Sequence, residues 1–257
     1  MPPEWPGTHT SQLEGAVHVW PVELRARPRL IGQALSLLSE EEKARATRLV
    51  TPLDRNCFVL SRSILRVLLS HFLSQRPERL EITQSENGKP RLADQSSRIR
   101  FNLCHSGQIA AIGVSMDCEV GIDVEQVRPV PEMDQIARRF FSPGERDELS
   151  NLNNKQRTTA FFRCWVRKEA YIKALGGGLS ITLNSFQVSL MPGAASPLVS
   201  VRADVQEAGK WRIHDFSPVP GYLGAIAFND PKRPVFMHSN RHAAGVLAKS
   251  VVKDRAR

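Results

Sequence analysis

Apolar and polar residues alternate over 16–24 (AVHVWPVEL), the period of a strand with one buried face, and Pro21 places that strand at a sheet edge or ends it early. Ser39 followed by Glu42 predicts a capped helix running to about residue 50. Apolar residues then recur at helical spacing from about 55 to 74. The run Asn87-Gly88-Lys89-Pro90 predicts a turn, because Asn-Gly accepts positive φ and proline stops strand pairing. Three short β-like pieces follow at 99–104, 109–115 and 119–124. Ser142-Pro143-Gly144-Glu145 opens another helix, and 155–175 is the longest helical pattern, ended by Gly176-Gly177-Gly178. Strands are predicted over 186–190, 198–203, 211–216 and 222–228.

This order predicts an α+β protein with two similarly built halves joined near 116–119. The expected layout is a flexible N-terminus over 1–15, an N-terminal lobe over 16–116, a C-terminal lobe over 117–229 and a basic extension over 230–257. With 257 residues, 41% hydrophobic and 24% charged, the chain has the composition of a globular protein. The greasiest stretch, 57–73, is interrupted by Arg62, Arg66 and His71, which argues against a membrane span. The first residues lack the basic and apolar regions of a secretory signal, so a cytoplasmic location is expected. Cys57, Cys104, Cys118 and Cys164 have no CxxC spacing and sit in hydrophobic runs, the pattern of reduced, buried thiols. A net charge of +9 favours anionic partners. Residues 230–257 hold seven Lys/Arg and two Asp, five of those nine net charges, which reads as a solvated tail.

Three runs carry candidate chemistry. In Gly121-Ile122-Asp123-Val124-Glu125 the strand period puts Asp123 and Glu125 on one face, where two carboxylates suit Mg²⁺ or form an ordinary solvated face. In Trp165-Val166-Arg167-Lys168-Glu169-Ala170-Tyr171-Ile172-Lys173, Glu169 and Lys173 lie one turn apart beside Trp165. They read either as a third metal carboxylate with a phosphate-binding ammonium or as a surface ion pair. Gly88-Lys89-Pro90 and Phe101-Asn102-Leu103-Cys104-His105-Ser106 offer a lysine and a histidine that donate to a phosphate, or a structural histidine.

Taken together and in this order, with Phe140 to Glu145 (F-F-S-P-G-E) between them, these motifs resemble the 4′-phosphopantetheinyl transferases, in the larger Sfp-type class, over residues 16–229. The resemblance implies two α+β lobes related by a pseudo-twofold within one chain, with coenzyme A in the cleft between them. It implies transfer of the phosphopantetheine arm from coenzyme A to a serine of an apo acyl or peptidyl carrier protein, from fatty-acid, polyketide or nonribosomal-peptide synthesis. Adenosine 3′,5′-bisphosphate is the by-product. By position, Asp123, Glu125 and Glu169 match Mg²⁺ ligands, for which Mn²⁺ is a substitute, and Lys173 matches the lysine beside the bridging phosphates. Lys89 and His105, with Gly88 and Ser106 beside them, match residues holding the 3′-phosphoadenosine end, and Glu145 matches an acidic residue near the site.

Arg45, Arg55 and Arg62 match the family's basic first-lobe region as phosphate or adenine contacts. The serine base is Glu169 or Glu145, directly or through a metal-bound water. Two departures stand out: Cys104 replaces a serine, removing a hydroxyl from the coenzyme A site, and Val166 follows the tryptophan where Ser or Thr is common. The basic tail is expected to attract acidic carriers, and with both lobes in one chain a monomer is expected. A metal-dependent nuclease is disfavoured because Glu125 is followed by Gln126 and Val127 rather than lysine. A nucleic-acid binder is disfavoured because the chain has only two Tyr and four Trp for base stacking. No membrane partner is expected.

Overall fold

The computed structural model describes residues 13–194, 197–201, 204–239, 241, 242, 245 and 247. The first lobe contains β1 (Val17–Glu23), α1 (Pro28–Ser36), α2 (Glu40–Thr47), α3 (Pro52–Leu73), β2 (Ile82–Gln84), β3 (Pro90–Leu92), β4 (Ile99–Ser106) and β5 (Ile109–Met116). The second contains β6 (Val120–Gln126), α4 (Met133–Phe140), α5 (Pro143–Ser150), α6 (Asn154–Leu175), β7 (Phe186–Val188), β8 (Leu198–Val201), α7 (Val205–Ala208), β9 (Arg212–Phe216) and β10 (Tyr222–Phe228). The strands β11 (Val235–Met237) and β12 (Arg241–His242) follow. Each lobe runs strand, three helices, hairpin, two strands, with α7 inserted before the last two strands of the second, and the sheet orders β1-β5-β4 and β6-β10-β9 are the same. The structure is therefore α+β with two like lobes.

The likeness extends to single residues. Ser39 and Ser142 cap α2 and α5, and the capping-box glutamates Glu42 and Glu145 answer to their backbone N–H groups. Helices α3 and α6 are both 22 residues long, and the fifteenth residue of each, Arg66 and Lys168, pairs with its lobe's capping glutamate. Arg66 also donates to the Pro77 and Leu80 carbonyls, as Lys168 does to those of Leu183 and Phe186. A basic side chain thus staples the segment after the long helix back onto it in both lobes.

Each lobe has its own apolar core, and a third joins them: Val17, Val19, Ile109 and Ala111 pack against Val120, Ile122, Val124, Ile226 and Phe228. Gly113 admits the Ile226 side chain there, since a Cβ would stand 2.7 Å from its Cδ1. Along the seam β4 lies beside β6 and side chains replace a backbone ladder. The Ile122 N–H donates to Asn102 Oδ1 at 3.0 Å and the Gln126 N–H to Ser106 Oγ at 3.3 Å.

Several expectations are corrected. β1 is an inner strand: β5 pairs it along its length, while β11 pairs Val17–Val19 and β12 pairs Val22 and Glu23. Pro21 falls in the gap between the last two, where no N–H is needed. The tail is not wholly a solvated extension, because β11 and β12 lie parallel on β1, Leu247 is buried in the first-lobe core and Arg233 donates to the Met116 carbonyl. Leu13, within the expected flexible N-terminus, is buried as well, and residues 1–12 lie outside the described ones. The four cysteines are buried and unbridged. Helix α3 is long and apolar enough to cross a membrane by length and composition, but 67% of its most apolar window is buried inside the protein.

Candidate active site

A cavity of about 550 Å³ opens between the lobes. One wall is first-lobe: the turn Asn87-Gly88-Lys89-Pro90 with Asn102 and Leu103 of β4. The other is second-lobe: Arg139 and Phe140 of α4, Glu169, Ile172 and Lys173 of α6, and residues of the loop after it. Volumes of this order suit small-molecule ligands.

Gly121 sets the height of α6 over β6. A Cβ there would stand 2.1 Å from the Ala174 nitrogen and 2.2 Å from the Ala170 oxygen, so only glycine lets helix backbone lie on strand backbone. Two residues on, the same strand face carries Asp123, and Lys173 comes down on it with Nζ 2.5 Å from Oδ1. Asp123 Oδ2 is buried without a hydrogen-bond partner. Burial pushes the Asp123 carboxyl up to about 7, with Glu125 and Glu169 adding to the rise and Lys173 opposing it. Burial would lower Lys173, but Asp123 beside it more than offsets this and holds the ammonium above the ordinary lysine range.

Glu125, further along β6, accepts from the Ser106 hydroxyl at 2.7 Å and lies 3.7 Å from Arg128. Among the described residues no three His, Cys, Asp or Glu side chains form a ready metal cluster. The donor set nonetheless suits a divalent cation, since Asp123 lies within electrostatic reach of both Glu125 and Glu169 and its buried Oδ2 has no partner.

The other expected site residues divide. Gly88 and Lys89 line the cavity, but the Lys89 ammonium is engaged by Glu119 Oε2 at 2.6 Å and the Ala174 carbonyl at 2.8 Å, and burial lowers its pKa. His105 is exposed and is not part of the cavity lining. Partial exclusion of water lowers its pKa, Lys173 does likewise, and Asp54 and Glu125 oppose them. Ser106 faces the seam as a clamp on Glu125. Arg45 stacks over Phe58, Arg55 donates to the Leu49 carbonyl, and Arg62 is held by Glu42, all outside the cavity lining.

Glu145 is corrected outright. It is fully buried on the far side of α6, with Lys168 Nζ and the Val188 N–H on one oxygen and the Ser142 N–H on the other, so it cannot meet a substrate. Cys104 is buried in the inter-lobe core, its thiol raised by burial, and donates to the Ala111 carbonyl.

Sequence reasoning missed the roles of Asn102, Arg167 and Lys168. Arg167 grips Asp215 through both Nε and Nη2 and donates to the Met191 carbonyl, which anchors α6 to β9 and to the β7–β8 region. Uninterrupted basic residues inside a 22-residue helix were the available signal, because a fully buried face cannot carry them unpaired.

A family model described as the 4′-phosphopantetheinyl transferase superfamily matches residues 119–227, and one described as 4′-phosphopantetheinyl transferase, N-terminal, matches 25–117. The chain is 33% identical over 217 residues to 4′-phosphopantetheinyl transferase HetI of Nostoc sp. (strain PCC 7120), which covers 84% of this chain and 88% of that protein. It is 36% identical over 188 residues to a putative 4′-phosphopantetheinyl transferase, slr0495, of Synechocystis sp., covering 73% and 74%. It is 30% identical over 200 residues to 4′-phosphopantetheinyl transferase Sfp of Bacillus subtilis, covering 78% and 86%. With both lobes matched in order by these models and a relative 33% identical over 84% of this chain, the chain belongs to the 4′-phosphopantetheinyl transferase family.

Proposed function

We propose that the protein transfers the 4′-phosphopantetheine arm of coenzyme A to a serine hydroxyl of an apo acyl or peptidyl carrier protein. Adenosine 3′,5′-bisphosphate is released. The observation that carries this reading is the pair of buried Asp123 and half-buried Lys173 beside the inter-lobe cavity, with Asp123 Oδ2 unpartnered and Glu125 and Glu169 close by. Asp123, Glu125 and Glu169 would hold Mg²⁺, or Mn²⁺ in its place. When bound, such an ion neutralises phosphate charge and favours in-line displacement.

The serine oxygen forms a bond to the β-phosphorus as the bond from that phosphorus to the bridging oxygen breaks. Lys173 donates to the departing oxygen, and its raised pKa keeps it charged to do so. Glu169, half-buried in the cavity wall, takes the serine proton. His105 with Arg45, Arg55 and Arg62 would be the first-lobe anion contacts for the nucleotide end. Since both cavity walls come from one chain, the reading includes a monomer; it also takes in a cytoplasmic location and no nucleic-acid or membrane partner.

Intact-mass spectrometry tests it. An apo carrier incubated with the protein, coenzyme A and Mg²⁺ gains about 340 Da, one arm, and the gain requires Mg²⁺ and disappears with Glu125→Ala. No gain with acyl or peptidyl carriers, together with no coenzyme A binding, overturns the reading.

A further inference from the structure

We infer that Lys89 is a positioning residue: its ammonium latches the first lobe onto the C-terminal end of α6 and so holds Lys173 against Asp123. The inference rests on the proposed reaction for its catalytic consequence, but its structural content stands on contacts alone.

A helix ends with four carbonyls that have no partner within it, and a cation there is favoured by the helix dipole. In α6 the Ile172 carbonyl is taken by the Gly176 N–H at 3.0 Å, and the Ala174 carbonyl is taken by Lys89 Nζ at 2.8 Å, from the opposite lobe. The lysine side chain is only 14% exposed, which its charge tolerates because Glu119 Oε2 lies 2.6 Å away. Glu119 is itself fixed, by Arg100 Nε on its other oxygen at 3.0 Å and by its own N–H on Asn229 Oδ1 at 2.8 Å. The latch is therefore anchored in β4, in the link between the lobes and at the end of β10.

Two glycines are shaped to receive it. Gly176 has φ +70, and a Cβ there would stand 3.1 Å from Lys89 Cδ. Gly178 has φ +53, with a Cβ position 3.1 Å from the Asn87 carbonyl oxygen. The glycine run after α6 is thus both the helix stop and a seat for the turn at 86–89. Ala174 directly follows Lys173, and the same turn of helix rests on Gly121. A small shift of this helix end moves Lys173 from Asp123, and misplacement by about 1 Å can cost on the order of 100-fold in rate.

The test compares the full chain with Lys89→Met, which keeps the stem and loses the ammonium, and Lys89→Arg, which can still reach both acceptors. Amide hydrogen exchange at Leu175 and Gly176 is read alongside turnover and coenzyme A affinity by calorimetry. Lys89→Met is expected to speed exchange at these two amides and lower kcat by about 10- to 100-fold with coenzyme A affinity unchanged. Lys89→Arg is expected to stay close to the parent in all three. Unchanged exchange at Leu175 and Gly176 overturns the inference, and so does a loss of about tenfold or more in coenzyme A affinity with kcat intact, which would make Lys89 a nucleotide contact. If Lys89→Met does not fold, Glu119→Gln removes the anchoring charge and is expected to shift the same readouts in smaller measure. Should the parent protein transfer nothing, the proposed reaction fails while the exchange comparison still decides the latch.

Discussion

Glu145 and Lys168 are both fully buried, and each is the other's only charge partner in the contacts described. Removing one partner of such a pair leaves an uncompensated charge, a cost of about 3–5 kcal/mol, whereas replacing both by apolar groups of similar volume is often neutral. Lys168→Met is therefore expected to lower stability by about 3–5 kcal/mol in urea unfolding, and Lys168→Met with Glu145→Leu to recover most of the loss. At this scale the carboxylates Asp123, Glu125 and Glu169 and the ammonium of Lys173 were legible, because strand and helix periods alone put each pair on one face. Glu145 was misread for a physical reason. Ser-x-x-Glu announces a helix start and says nothing of what else the glutamate meets, and its distance from the cavity follows only from the packing of α5 behind α6.

The contact of β6 with α6 depends on the absence of one methyl group. Gly121→Ala would press a Cβ into backbone atoms of α6 at 2.1 to 2.6 Å, where no side chain can yield. Gly144 offers a contrast, since its Cβ would meet only the end of the Gln187 side chain, which can move aside. Gly121→Ala is expected to cost about 1–3 kcal/mol in chemical denaturation and to reduce turnover beyond the folded fraction lost, while Gly144→Ala changes both far less. Ser39 and Ser142 made two helix starts readable, and apolar periodicity gave α3 and α6, whose caps are Thr51 and Asn153, whereas the four-residue α7 behind its Asp204 cap is too short to show a period. Helices α1 and α4 were not read, because neither Arg27 nor Glu132 supplies a capping hydrogen bond, which leaves Pro28 as the one start signal of α1.

The two lobes share a plan and divide the chemistry. The fourth and sixth residues of β6 are Asp123 and Glu125, whereas those of β1 are Trp20 and Val22, each 1% exposed. The sixteenth and twentieth residues of α6 are Glu169 and Lys173, whereas those of α3 are Val67 and His71. One copy of the frame holds a charged site and the other fills the same positions largely with core. That is why element order revealed the repeat while the residues concealed it.

Strand β11 carries a consequence for the order of synthesis. The β1 backbone at residues 17–19 acquires its second neighbour only when residues 235–237 arrive, after the whole second lobe. A fragment ending at residue 117 would present a bare strand edge, a template for association. Such a fragment is expected to elute as aggregate in size-exclusion chromatography, and co-expression with residues 118–257 to return a defined complex; a well-behaved monomer would refute this. The lobe that begins first on the ribosome is completed last, so its neighbour must be in place before it can close.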